Sequence, residues 1–154
     1  MRSQASDSPL AELSTTLPAT PAHLADLHTA LHRFWTEFER IRGAPVPPGR
    51  RAQVETAVGE LGSNIVRHAY AAARLSGEMT LTLSGYGDRV EGLFRDAGAA
   101  YTGPPPAELA MPDALELAEL PEGGWGLRLT CAAVDELTYA RASGTNRWRF
   151  VRRL

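Results

Sequence analysis

Two pairs of short alternating segments, each joined by a tight turn, constrain the fold of this chain most. The segments "EMTLTLSGY" and "RVEGLFRD" place apolar residues at every second position on either side of the turn "GD" (78–96). The segments "LTYARAS" and "RWRFVRRL" flank "GTN" in the same way (137–154). Such alternation around glycine-containing turns predicts β-hairpins. Hairpins pair antiparallel strands, so we expect a mixed, mostly antiparallel sheet.

Two longer segments with helical spacing precede the first hairpin. Residues 21–42 and 50–73 repeat apolar side chains at intervals of three and four, and the proline-rich break "GAPVPPG" separates them. An edge strand is expected ahead of them, within 10–20, and a third helix after "EGGWGLRL" (122–129). Since the turns leave the helices only one face to cover, the fold class predicted is an α/β two-layer sandwich, with three helices on one face of the sheet.

Length and charge restrict the class of protein. The chain has 154 residues and a net charge of −2, typical of one globular domain and not of a nucleic-acid-binding protein. All 16 basic residues are arginines, which excludes a lysine phosphate clamp or a Schiff base. We expect a disordered start (1–9), one domain (10–154), no membrane segment and a cytoplasmic location.

Two features allow a structural or a functional interpretation. Cys131 is the only cysteine and lies on the apolar side of the predicted third helix, where a buried thiol is favoured over a nucleophile. Phe34, Trp35 and Phe38 either pack on the sheet, which we favour, or form the surface of a homodimer.

The second predicted helix carries three polar residues one turn apart. In "ELGSNIVRHAY", Glu60, Asn64 and His68 follow at four-residue intervals, so they lie along one stripe beside the apolar face. A carboxylate can accept a proton from an attacking hydroxyl, and an amide oxygen is a hard ligand for Mg²⁺. The same spacing is common on exposed helices, and a histidine near a helix end usually caps or packs.

Two further stretches carry chemistry of the same kind. In "DAGAAY", Asp96 ends a strand and can accept a hydrogen bond from an exocyclic amine, although such a sequence is also an ordinary turn. In "EGGWGLRL", glycines precede a helix whose free N–H groups can bind phosphate. The glycine spacing is neither a Walker loop nor a dinucleotide fingerprint.

Taken in order, these stretches resemble the GHKL (histidine kinase-like) ATPase superfamily with its Bergerat ATP-binding fold. The pattern is Glu-x-x-x-Asn-x-x-x-His-Ala-Tyr on a helix, Asp-x-Gly after a strand, Gly-Gly-x-Gly-Leu at a helix start, and Gly-Thr in the last hairpin. The small size and the form "NIVRHAY" resemble the anti-sigma factor serine/threonine kinases. The resemblance covers residues 10–154.

The resemblance implies a role for each matching position, with ATP and Mg²⁺ as cofactors. Glu60 would be the general base and Asn64 the Mg²⁺ ligand. Asp96 would bind the adenine amine and Gly98 would leave room for the base. Residues 101–122 would form the lid over ATP. The phosphate loop and the pocket floor would be formed by Gly124, Gly126, Leu127 and Thr145, while His68 and Tyr70 would be structural.

The activity implied is that of an anti-sigma factor that binds an RNA polymerase sigma factor and phosphorylates a STAS-domain anti-anti-sigma factor. The lid departs from the family pattern, because residues 96–127 contain no basic side chain. Arg67, Arg128 or an arginine of a partner protein would have to supply that charge. A non-catalytic ATP-dependent binding module therefore stays open, as does a detached histidine kinase ATPase domain with His28 or His32 as phosphoacceptor.

Overall fold

The computed structural model describes residues 7–109 and 125–154, and over these the strands form one five-stranded sheet. The strands are β1 (Ala11–Pro18), β2 (Glu78–Gly85), β3 (Arg89–Asp96), β4 (Glu136–Ala142) and β5 (Thr145–Arg153). They are ordered β1-β2-β3-β5-β4, and every neighbouring pair is antiparallel. The sheet is therefore wholly antiparallel where a mixed one was expected.

The described helices lie on one face of this sheet, which confirms the predicted two-layer α/β sandwich. They are α1 (Leu24–Arg42), α2 (Pro48–Asn64) and α3 (Gly126–Ala133). A π-helical segment, Ile65–Ala71, continues α2, and short 3₁₀ turns occupy Pro21–His23 and Pro106–Glu108. No helix within 7–109 or 125–154 combines the length and apolarity that a membrane span requires.

The aromatic residues of α1 belong to the core between the two layers. Phe34 and Trp35 are each 1% exposed and Phe38 is 0% exposed. The ring centroids of Phe34 and Phe38 lie 5.5 Å apart, and Trp35 Nε1 donates to Glu55 Oε1 at 3.0 Å. These three side chains therefore pack against the sheet and do not form an exposed surface for a homodimer.

The register of β3 and β5 positions two polar side chains at one end of the sheet. Asp96 pairs with Asn146 across the strands, and both are buried on the helix side. The hairpin turn that leads into β5 has Ser143 and Gly144 at φ 51° and 74°, as a two-residue type I′ turn requires. Because the turn sets the register, it also sets which residue of β5 faces Asp96.

Candidate functional site

A cavity of about 550 Å³ lies between the end of α2, the loop after β3, the start of α3 and β5. Its volume is within the range of ligand pockets in proteins. The residues that line it are Asn64, Ile65, His68 and Ala69, the loop 99–104, Leu109, Leu127, Arg128, Asn146 and Trp148.

At one end of the cavity, the structure brings together three residues that are distant in sequence. A methyl group added to Gly126, the first residue of α3, would lie 2.7 Å from Glu60 Oε2 and 3.8 Å from Asn64 Oδ1. The carboxylate of Glu60 thus lies against the backbone of the helix start, and a side chain at position 126 would displace it from this place. An acid, an amide oxygen and the N–H groups of a helix start therefore lie close together beside the cavity.

The rest of the predicted glycine loop is only partly within the described chain. Leu127 and Arg128 line the cavity, whereas Gly124 and residues 110–122 of the predicted lid lie outside the described residues. The described part of the predicted lid begins at Tyr101, whose ring packs on Trp148 with centroids 4.9 Å apart.

Asp96 is not part of the cavity wall but is hydrogen-bonded to Asn146, which is. It is 3% exposed, and its Oδ1 accepts hydrogen bonds from Gly98 N and Asn146 Nδ2, both at 2.9 Å. Oδ2 is buried and has no hydrogen-bond partner among the described residues. Burial raises the pKa of this carboxyl above its ordinary value of 3.8, and the hydrogen bonds and the charge of Arg141 oppose that rise in part. One buried oxygen is thus left able to accept from a ligand.

Asn146 is the site residue that sequence reasoning missed. The resemblance implied Thr145 in the pocket floor, but Thr145 borders a second depression, together with Asp96, Tyr70 and Arg95, and is absent from the wall of the main cavity. Successive residues of a strand face opposite sides, so only one of the pair 145 and 146 can face the helices. The alternation of buried residues 146, 148 and 150 was a usable signal.

The π-helical segment brings His68 into the cavity wall, where it is exposed. Its neighbour Arg67 is exposed and outside the wall. The segment also lies close to Gly98, where a methyl group would be 2.6 Å from the carbonyl oxygen of Ala69. The lack of a side chain at Gly98 therefore leaves room for the backbone of the π-helical segment. Ala99 N donates to the same carbonyl oxygen at 2.8 Å. π-helical segments occur frequently at functional sites.

Cys131 is half-buried beneath the start of the lid region. Its Sγ lies 3.5 Å from the carbonyl oxygen of Pro106, and burial raises the pKa of the thiol. A raised pKa disfavours the thiolate, which agrees with a packing role for Cys131.

Comparison with known proteins decides the family. The profile of the family described as histidine kinase-like ATPase domain matches residues 17–151, which is most of the chain. The chain belongs to this family. Among curated proteins, nothing matches its sequence.

The chain also resembles a solved structure, that of the RsbU and RsbW domains of Rv1364c from Mycobacterium tuberculosis. The TM-score is 0.60 at 21% identity, over 94% of this chain and 32% of that one. The chain thus spans about a third of the length of that protein, and the likeness concerns the fold. Membership of an ATPase family implies that the chain binds ATP.

The residues present fit a magnesium nucleotide. The described residues contain no cluster of three or more His, Cys, Asp or Glu side chains that would hold a metal ion by themselves. Mg²⁺ typically takes one or two protein oxygens and completes its shell with phosphate oxygens and water. Asn64 Oδ1 beside the start of α3 is suited to that arrangement, and the unpaired oxygen of Asp96 is suited to a base that carries an amine.

Proposed function

We propose that this chain is an ATP-dependent protein serine/threonine kinase that also acts as an anti-sigma factor. Nucleotide would lie in the cavity, with its base at Asp96 and its phosphates at the start of α3. A serine or threonine of a STAS-domain anti-anti-sigma factor would be phosphorylated, and ATP would decide whether that protein or a sigma factor is bound, all in the cytoplasm. The observation that carries the proposal is the convergence of Glu60, Asn64 and Gly126 beside the cavity.

Each residue of the site would have a separate role in phosphoryl transfer. Asn64 would hold Mg²⁺, which neutralises charge on the phosphates when bound, and the N–H groups of α3 would orient them. Glu60 would accept the proton of the attacking hydroxyl, a role in which carboxylates serve as general bases. Leu127 and the described start of the lid would exclude water from the reacting phosphate.

Direct tests are binding and transfer. Calorimetry with ADP and Mg-ATP should detect nucleotide binding, and radiolabelled ATP should label one of the STAS-domain proteins encoded in the source genome. Label that resists acid indicates phosphoserine or phosphothreonine.

Binding without any transfer favours the non-catalytic module, for which the lack of basic residues over 96–127 is the specific argument. Acid-labile label on His28 or His32, both exposed on α1, favours a detached histidine kinase domain. A homodimer, with β1 at the edge of the sheet that residues 7–109 and 125–154 form, stays a prediction.

Asp96→Asn should change which base is bound. The substitution keeps the shape and the bonds to Oδ1 but replaces the free acceptor by an N–H donor, so ADP affinity should fall on the order of 10- to 100-fold. Inosine diphosphate carries a carbonyl where adenine has its amine, and its affinity should rise. Thermal stability should not fall, because a buried carboxylate with an unpaired oxygen is removed. Equal loss of both nucleotides would contradict the assignment of the base to Asp96.

Acidification should weaken ADP binding. The base amine donates to the ionised form of Asp96, whose pKa lies above 3.8, so affinity should fall as the pH drops towards that raised value. The positive charge of Arg141 also acts on this carboxyl and favours its ionised form. His68 lies in the cavity wall, so calorimetry is best done in a His68→Gln background. Affinity that rises on acidification in that background would contradict the prediction.

A further inference from the structure

Asn146 lies at the centre of a hydrogen-bond network that fixes the orientation of its amide. Tyr139 Oη donates to Asn146 Oδ1 at 2.6 Å, and Arg141 Nη1 donates to the same oxygen at 2.7 Å. Tyr139 Oη itself accepts from Tyr101 N at 3.0 Å, so its proton is directed to Asn146. Arginine can only donate. Both neighbours therefore require the oxygen of the amide on their side.

The other side of the amide presents its N–H groups to acceptors only. Asn146 Nδ2 donates to Asp96 Oδ1 and to the carbonyl oxygen of Ala99, each at 2.9 Å, with a longer contact of 3.4 Å to Gly98 O. A reversed amide would place its oxygen against the carboxylate and against two carbonyls. Asn146 therefore fixes the position of Asp96, and Tyr139 and Arg141 of β4 fix the orientation of Asn146.

The same network reaches the first residue of the lid. Arg141 Nη1 also donates to Gly98 O at 2.9 Å, and Tyr101 N is bound by Tyr139. The loop 98–101 is therefore tied by its backbone to the side chains that orient Asp96. A shift of Asn146 would change the position of the carboxylate and of this loop together.

We propose that Asn146, held by Tyr139 and Arg141, is a positioning residue that leaves Oδ2 of Asp96 as the single acceptor for the amino group of a base and ties base recognition to the start of the lid. The inference rests on the proposed function, since it requires an adenine nucleotide in this cavity. It predicts that the network selects bases with an exocyclic amine, because its members hold Asp96 with Oδ2 unpaired.

Asn146→Asp tests the proposal through the sign of its pH dependence. The substitution places two carboxylate oxygens about 2.9 Å apart, where the bond of Asn146 Nδ2 to Asp96 lies now. Such a pair cannot be fully ionised and shares a proton. With one proton it keeps the present geometry and binds ADP; without it, repulsion displaces Asp96. In the His68→Gln background, ADP affinity of the variant should fall roughly 10- to 100-fold as pH rises and recover on acidification, opposite to the parent.

The controls separate this inference from the function on which it rests. Arg147→Ala alters the next residue of β5, on the exposed face, and should bind ADP as the parent does at every pH. Parent protein that binds no adenine nucleotide would refute the proposed function. Parent that binds while Asn146→Asp shows the same affinity, or the same pH trend, would refute the positioning role.

Tyr139→Phe provides a second variant should Asn146→Asp unfold at high pH, which circular dichroism would reveal. Removing the Tyr139 hydroxyl takes away one of the two donors that orient the Asn146 amide, so ADP affinity should fall by about 3- to 10-fold. The ratio of the affinities for ADP and inosine diphosphate should also decrease. Unchanged affinity together with unchanged discrimination would overturn the proposal.

Discussion

Glu60→Gln should slow phosphoryl transfer by roughly 10²- to 10⁴-fold while ADP binding is kept. The amide has the shape of the carboxylate but cannot accept the proton of the attacking hydroxyl. The structure places Glu60 Oε2 against Gly126, where a methyl group would be 2.7 Å away, so an isosteric change is needed to leave the start of α3 in place. Transfer rates would be measured with radiolabelled ATP and the STAS-domain acceptor, and binding by calorimetry.

A matched control is available on the other side of the sheet. Glu136→Gln changes an exposed carboxylate of β4 that pairs weakly with Arg149 at 3.6 Å, and it should leave the transfer rate unchanged. If Glu60→Gln transfers phosphate at the parent's rate, Glu60 is not the general base. If it loses ADP binding as strongly as transfer, the effect is on the cavity and not on proton transfer.

Arg128→Ala should reduce phosphoryl transfer by roughly 10²- to 10³-fold, because positioned positive charge is the main requirement of this chemistry. No basic residue occurs from 96 to 127, so the lid cannot supply that charge. Of the two candidates within the chain, Arg128 lines the cavity and Arg67 does not. Affinity for ATP should fall more than affinity for ADP, since the missing charge acts on the terminal phosphate.

Arg67→Ala is the comparison that decides between these arginines, with the exposed Arg147→Ala as a neutral control. Rates would be compared at saturating ATP, so that binding and transfer are separated. A larger loss from Arg67→Ala than from Arg128→Ala would transfer the role to Arg67. If both variants transfer phosphate at the parent's rate, the positive charge at the terminal phosphate must come from an arginine of the partner protein.

Combined with Asp96→Asn, these variants distinguish the proposed activities. A change of nucleotide preference from ADP to inosine diphosphate in Asp96→Asn, together with loss of phosphoryl transfer in Glu60→Gln, supports a kinase. The same change of nucleotide preference, with no phosphoryl transfer by the parent protein, supports the non-catalytic binding module. The position 96 result does not depend on any protein partner, so it tests the nucleotide site even where the STAS-domain substrate is still unidentified.

The fold was largely predictable because it depends on local periodicity. The alternation in 78–96 and 137–154 predicted both hairpins, and β3 begins and ends at the predicted residues. The second helix was predicted as one regular helix over 50–73, whereas the structure changes to π-helical hydrogen bonding after Asn64. The bond from Ala72 N to Arg67 O across five residues, like the contact of Ala69 O with the loop after β3, depends on tertiary packing that no helical period reports.

By itself, the sequence determined the layers, the strand pairs and the acid, amide and glycine positions of the site, because these follow from periodicity, turn chemistry and motif order. The tertiary structure decided which side chains meet. It placed Gly126 against Glu60, and it brought His68, Arg128 and Asn146 into the cavity wall. The physical reason is that a strand changes face at every residue, so the left-handed turn at Ser143 and Gly144, with the register of β3 and β5, selects the residue that binds Asp96.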